Sequence, residues 1–275
     1  MTEWFSGYVE ANGLRVFYHR TGQASNKPPM LLLHGFTDNG LCWSEVARYF
    51  EEDYDVIMTD ARGHGHTEGP VNEIPTDLLA EDAAAVIRSL GLGKPIVFGH
   101  SMGAMTTSAL AAAHPDLVRA AILEDPPFFA VVRLGSEINN RSGDAKKRRD
   151  TFLALSPQDR FALNKQNNPG WSDAEIQHSV EAQIEYNPEI LEPRQKPNNF
   201  NWREVMTSIK CPVLLLTGDV EKGGLVSPEA ANEATHLCPT CEVSHISGAG
   251  HCIHRDRLGE TMQAVRDFLA THRAN

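Results

Sequence analysis

Gly99-His100-Ser101-Met102-Gly103 constrains this chain more tightly than any other stretch. An apolar run, Pro95 to Phe98, leads into it, and an alanine-rich, helix-forming segment follows at once. The pattern is therefore a strand, a sharp turn and a helix, with one serine at the apex. Glycine at both ends of the turn removes side chains where strand and helix crowd together, and it tolerates the backbone angles such a turn demands. The turn pushes the Ser101 hydroxyl out of the sheet, in a strained conformation at the positive end of the following helix. A bare Gly-x-Ser-x-Gly arises often by chance. The strand before it and the helix after it give it meaning.

A sheet for that turn to belong to can be read along the chain. Met30 to Leu33, Val56 to Thr59, Ala120 to Leu123 and Cys211 to Thr217 read as buried strands, mostly as uninterrupted apolar runs of the kind found in parallel sheets covered on both faces. Tyr8 to His19 reads as two strands joined at an Asn12-Gly13 turn, and Glu242 to Ile246 as a last strand. Helices are expected around Trp43 to Phe50, over Thr76 to Leu90, from Ser227 onward and over Glu260 to Thr271. From Phe128 to Val205 the texture changes: apolar runs vanish, charge rises at Lys146-Lys147-Arg148-Arg149, and helix starts stand at Ser156 and at the capping box Ser172-Asp173-Ala174-Glu175. The expected architecture is α/β, a mostly parallel, doubly wound central sheet. Its core comprises residues 1–127 and 206–275, with a helical cap, 128–205, inserted between two late strands.

Charge and cysteine usage narrow the function classes. A net charge of −11 argues against nucleic acid or an anionic membrane as partner, and no run is long enough to span a bilayer. The start, Met1 to Ser6, lacks the basic-then-apolar pattern of a secretion signal, and five cysteines, an odd number, fit a reducing compartment. The expectation is a cytoplasmic protein acting on a small molecule. Cys238-Pro239-Thr240-Cys241, flanked by His236 and His245, could mark a redox pair or a zinc site. It closes a helix and leads into a strand, so the preferred reading is a plain connection. No phosphate loop, dinucleotide fingerprint or firm metal cluster stands in the sequence, and no cofactor or metal is expected.

In an open parallel sheet, ligands bind at the carboxyl ends of the strands. The reactive residues fall there: His34-Gly35-Phe36, Asp60, Ser101, Asp125, Asp219 and His251. A serine hydroxyl attacks well only when a base removes its proton. His251 is the candidate base, because its loop, Gly248-Ala249-Gly250-His251, follows the last strand and can bend back over Ser101. With Asp60-Ala61-Arg62-Gly63-His64-Gly65 and the Gly-x-Ser-x-Gly turn, these pieces make the chain resemble the α/β-hydrolase fold over nearly its whole length.

That resemblance implies a serine, acid, histidine triad in this chain order, with Ser101 as nucleophile and His251 as base. The acid is expected after the strand ending at Thr217, and Asp219 is the first choice; Asp125, one strand earlier, and Glu221 remain alternatives. The N–H groups of Phe36 and Met102 would bind the oxyanion. Serine at this turn argues against haloalkane dehalogenases and epoxide hydrolases, which resemble this fold but use aspartate there. The implied reaction is hydrolysis of a carboxylic ester or lactone with a small to medium apolar acyl part. Phe128, Phe129, Phe152, Phe161 and Trp171 are the candidate lining of the cap. Hydrolysis of a carbon–carbon bond in a diketone, or ligand reception with slow turnover, are the alternatives the resemblance allows.

Overall fold

The computed structural model describes residues 4–22, 26–71, 74–128, 136–191 and 200–272, with side chains omitted over 136–144. Its first two strands, β1 (Phe5–Ala11) and β2 (Leu14–Arg20), form an antiparallel hairpin. Asn12 and Gly13 at the turn both take positive φ, 50° and 73°, the backbone that matches the twist of the flanking strands. Then come β3 (Pro29–Leu33), β4 (Asp55–Thr59), β5 (Ile96–His100), β6 (Ala120–Glu124), β7 (Val213–Thr217) and β8 (Cys241–His245). The sheet runs β1-β2-β4-β3-β5-β6-β7-β8. β1–β2 and β2–β4 are antiparallel, and every later pairing is parallel.

The central strands are apolar throughout because both faces are covered, and alternate residues serve two separate cores. Leu31, Leu33, Ile57, Val97, Leu123 and Leu215 point to one face. There they meet Ile87 of α2 (Thr76–Ser89), Leu110 of α3 (Met102–Ala113), Met206 and Ala231. Met30, Leu32, Met58, Phe98, Ile122 and Leu216 point to the other, against Val46 and Phe50 of α1 (Ser44–Phe50) and the late residues Met262, Val265 and Phe268.

Between β6 and β7 lie α4 (Ser136–Ala154), α5 (Pro157–Asn167), α6 (Asp173–Glu185) and α7 (Trp202–Ser208). The serine starts expected from the sequence hold: Ser156 Oγ accepts from the Asp159 N–H, and Ser172 and Glu175 form a reciprocal capping box. After β7 the chain makes α8 (Pro228–Leu237), and after β8 the short α9 (Ile253–Asp256) and the closing α10 (Leu258–Thr271). Cys238 closes α8 and Cys241 opens β8, both buried. Among the described residues no helix is long and apolar enough to cross a membrane.

Two glycines explain the spacing around Ser101. A Cβ on Gly99 would strike the Gly103 carbonyl, and one on Gly103 would strike the carbonyl oxygens of Leu33 and His34. β5, α3 and β3 therefore pack backbone to backbone. Gly103→Ala is expected to lower unfolding free energy by about 2–3 kcal/mol, since its obstacles are backbone that cannot swing away. Gly259→Ala, in α10 with nothing near its Cβ, should instead be neutral or stabilise by up to about 1 kcal/mol. Urea denaturation of both variants measures the contrast.

Candidate active site

The site forms where β3, β5, β6 and β7 end. Ser101 caps α3 with φ 52° and ψ −112°, and its N–H bonds the Glu124 carbonyl at 2.9 Å, so the apex is locked to the end of β6. Asp125, the next residue on that strand, takes φ 43°, and Thr37, after β3, takes φ 68°. Positive φ costs a non-glycine residue roughly 1–3 kcal/mol and persists only where surroundings impose it. Among the described residues Asn12 alone shares this property away from the site.

His251 reaches back from the loop after β8, and its Nδ1–H donates to Asp125 Oδ2 at 2.6 Å. Asp125 is fully buried, while about a third of the His251 side chain stays accessible. The same carboxylate accepts from the Leu225 N–H at 2.8 Å and the Val226 N–H at 3.1 Å. Its own N–H bonds the Leu216 carbonyl at 3.0 Å.

Asp219, the acid expected from the sequence, is not the partner of His251. Its carboxylate accepts from His245 Nε2 at 3.0 Å and from the Gly248 N–H at 2.8 Å, and its N–H bonds the Ala249 carbonyl at 2.7 Å. The Gly248 N–H first, then His245, hold this carboxyl below its ordinary value. Asp219 leaves β7 facing β8 and anchors the glycine-rich loop, whereas Asp125 leaves β6, the strand beside β5. The geometry brings Asp125, one of the alternatives read from the sequence, to the histidine, and places Asp219 on its loop. Glu221 lies in an exposed turn, Val220–Lys222, after β7.

The remaining motif residues brace the site. His34 donates from Nδ1 to the Gly35 carbonyl and accepts from the Ala61 N–H on Nε2, joining the loops after β3 and β4. Asp60 accepts from the N–H groups of Gly40 and His66, and Arg62 forms two bonds to Asp82. Burial holds the His64 imidazole down to about 3. Phe36 stands 37% exposed and lines the cavity in front of Ser101; Met102 opens α3, where the first N–H groups of a helix find no intrahelical acceptor.

Two buried pairs that sequence reasoning missed tie these loops together. Glu124, fully buried, accepts from His254 Nδ1 with both oxygens at 2.8 Å, and the His254 ring stacks on Trp43 at 4.4 Å. Arg255 Nη2 meets Asp38 Oδ2 at 3.1 Å, joining the loop after β3 to α9. Burial opposes ionisation of Asp38, yet Arg255 and then His100 carry its carboxyl far below the ordinary range. His100 is itself pushed down, chiefly by burial, and donates from Nε2 to the His251 carbonyl at 3.0 Å. His34 to Asp38 and His251 to Arg255 both hold a charged residue a few positions beyond the recognisable motif, the only signal the sequence carried.

Ser101 and His251 open into one cavity of about 810 Å³. Its walls include Phe36, Phe152, Leu163 and Trp171, and also Asn164, Asn168, Ser179 and Gln183. Of the aromatics expected to line it, Phe152 and Trp171 do. Phe128 stacks on Trp202 at 4.5 Å, Phe161 packs against Trp171 with Ile176 and Val180, and Phe129 lies outside the described residues. The wall thus joins apolar side chains to a set of amide and hydroxyl groups. Among the described residues no cluster of three His, Cys, Asp or Glu side chains is placed to hold a metal.

Comparison with known proteins agrees with this fold. The family model described as alpha/beta hydrolase fold matches residues 28–258. N-formylmaleamate deformylase of Pseudomonas putida is 28% identical over 265 residues, 96% of each chain. 2-(Acetamidomethylene)succinate hydrolase of Mesorhizobium japonicum is 27% identical over 88% of each. A crystal structure of E-2-(acetamidomethylene)succinate hydrolase superposes with a TM-score of 0.80 at 23% identity, covering 98% of this chain and 100% of that one.

The Glu124 and His254 pair has a pH signature. Burial opposes the Glu124 charge, but His254 holds its carboxyl down to about 2 from an ordinary 4.5. A depressed carboxyl contributes stability above its unfolded value and loses it as pH falls towards the folded one. Urea unfolding should weaken by about 2 kcal/mol from this pair between about pH 6 and about pH 3. Glu124→Gln should start less stable and show a shallower acid decline.

Proposed function

The chain belongs to the alpha/beta hydrolase fold family, and we propose that it is a serine hydrolase that opens a carboxylic acyl bond through an intermediate on Ser101. The observation that carries this reading is the 2.6 Å bond from His251 Nδ1 to buried Asp125, beside Ser101 at its strained apex. With Nδ1 committed to Asp125, the lone pair of His251 sits on Nε2 and can take the Ser101 proton. Ser101 Oγ then bonds the acyl carbon, and the oxyanion is received by the N–H groups of Phe36 and Met102. Nε2 returns the proton to the leaving group as the acyl bond breaks. Water, deprotonated by the same nitrogen, releases the acid and restores Ser101. Asp125 stays charged and steadies the imidazolium. We read residues 128–205 as a helical cap over this centre.

An ester or lactone is the first substrate reading. A second, N-acyl amide cleavage, is favoured by two of the relatives that match along most of their length, one a deformylase and one a hydrolase of an acetamido compound. The same residues serve, with His251 protonating a poorer leaving group.

Turnover of p-nitrophenyl acetate, p-nitrophenyl butyrate and N-formylmaleamate by wild type and variants tests both readings. Ser101→Ala should abolish hydrolysis. Asp125→Asn should lower kcat by roughly a thousandfold or more, because the imidazole loses its tautomer and its counter-charge. Asp219→Asn should act mainly through loop stability and stay within about tenfold of wild type. Equal, mild losses in both aspartate variants would overturn the assignment of Asp125. No turnover of any of the three, with a ligand-induced rise in Tm, would favour a receptor.

A further inference from the structure

The cavity in front of Ser101 reverses the charge of the molecule around it. The chain carries a net −11, yet four cationic side chains, Lys147, Arg148, Arg149 and Arg255, line this space against one carboxylate, Asp38, among the described residues. Asp38 is already committed to Arg255. Arg149 spends donors on the carbonyls of Ile184 and Tyr186 and lies over the Tyr186 ring. Lys147 and Arg148, exposed on α4, therefore face the cavity with no carboxylate opposite them in its described lining. A concave surface of one sign, set in a molecule of the other, concentrates its field inside and draws in ligands of opposite charge.

The uncharged part of the wall mixes apolar and polar side chains. Asn164 and Ser179, both buried, and Asn168 and Gln183 bring amide and hydroxyl groups into the cavity from α5 and α6. Asn164 Oδ1 accepts from Asn168 Nδ2 at 3.0 Å, and its own Nδ2 reaches Ser179 Oγ at 3.3 Å. These groups are thus held to one another, and beside them the wall is apolar at Phe152, Leu155, Leu163 and Trp171.

We propose that the substrate of this site carries a carboxylate besides its scissile acyl group, and that Lys147 and Arg148 receive that carboxylate while the acyl carbon lies at Ser101. The placement rests on the reading of Ser101 as nucleophile; the anion site does not. Lys147 and Arg148 set specificity and touch none of the reacting atoms.

Binding and turnover test it separately. Ser101→Ala protein, titrated calorimetrically, should bind succinate more tightly than the neutral isostere succinamide. Adding Lys147→Gln and Arg148→Gln should weaken succinate about five- to tenfold, as expected for two solvent-facing charge contacts. Arg148→Lys should retain binding, and Lys94→Gln, at the opposite end of β5, should leave it unchanged. In the otherwise wild-type protein, the double substitution should lower the ratio of kcat/KM for mono-p-nitrophenyl succinate over p-nitrophenyl butyrate by a similar factor. Equal binding of succinate and succinamide, or succinate binding indifferent to the double substitution, overturns the proposal. If neither ester nor N-formylmaleamate is hydrolysed while succinate binding still depends on Lys147 and Arg148, the hydrolytic reading falls and the anion site stands.

Discussion

Three separate parts of the chain meet at the Asp125 carboxylate, and the site exists because they do. The end of β6 delivers it, the segment after β7 covers it with the N–H groups of Leu225 and Val226, and the loop after β8 brings His251 to its remaining face. A carboxylate with no exposure to water is costly unless its lone pairs are matched by donors. That cost makes the arrangement specific. Withdrawing the His251 loop would leave a buried charge underpaired, so chain closure and histidine placement are one event. The positive φ of Asp125 and of Ser101 belongs to the same constraint, since Asp125 N–H is held by Leu216 and Ser101 N–H by Glu124.

Two further pairs repeat the device around it. Glu124 is the residue before Asp125, and His254 lies three beyond His251, so a second acid and imidazole run alongside the first, buried and stacked on Trp43. Arg255 then reaches Asp38 and fixes the loop that carries Phe36. Strand ends and return loops are thus joined through paired polar groups, where an apolar contact would allow sliding. Removing one partner of such a pair typically costs about 3–5 kcal/mol, since the other is left charged and buried. The loops around Ser101 are accordingly rigid parts of the fold.

Much of this was legible before any coordinates. Uninterrupted apolar runs located the central strands, Asn12-Gly13 located the hairpin, and the serine caps at Ser156 and Ser172 located two helices. Each of these signals is local, written within a few residues. The partner of His251 was not local. Asp125 and Asp219 both follow buried strands, both carry a carboxylate, and both hold a histidine; only the order of β6, β7 and β8 decides which histidine each receives. Sheet order is a property of the whole chain, and spacing along one strand does not encode it. The Asp38 and Arg255 pair was hidden for the same reason, and the polar wall because α5 and α6 combine residues that look like ordinary surface in sequence.

Those inserted helices divide the labour of the molecule. Ser101 and Asp125 stand at sheet ends, each held by its backbone N–H, and His251 is held by the Asp125 carboxylate. The cavity wall rests on α4, α5 and α6, which meet the core on two sides. On one, Asn187 N–H bonds the Gly63 carbonyl at 2.8 Å and Tyr186, Ile190 and Leu191 pack on Val71, Ile74 and Leu79. On the other, Trp171 Nε1 donates to Asp256 Oδ1 at 2.8 Å. Between those supports, side chains facing the cavity bear on neither the sheet nor the Asp125 carboxylate. Exchange of Lys147 or Arg148, exposed on α4, is therefore expected to cost folding little. Under the proposed function, selection among acyl substrates belongs to these helices, whose cavity-facing side chains include the cations Lys147, Arg148 and Arg149.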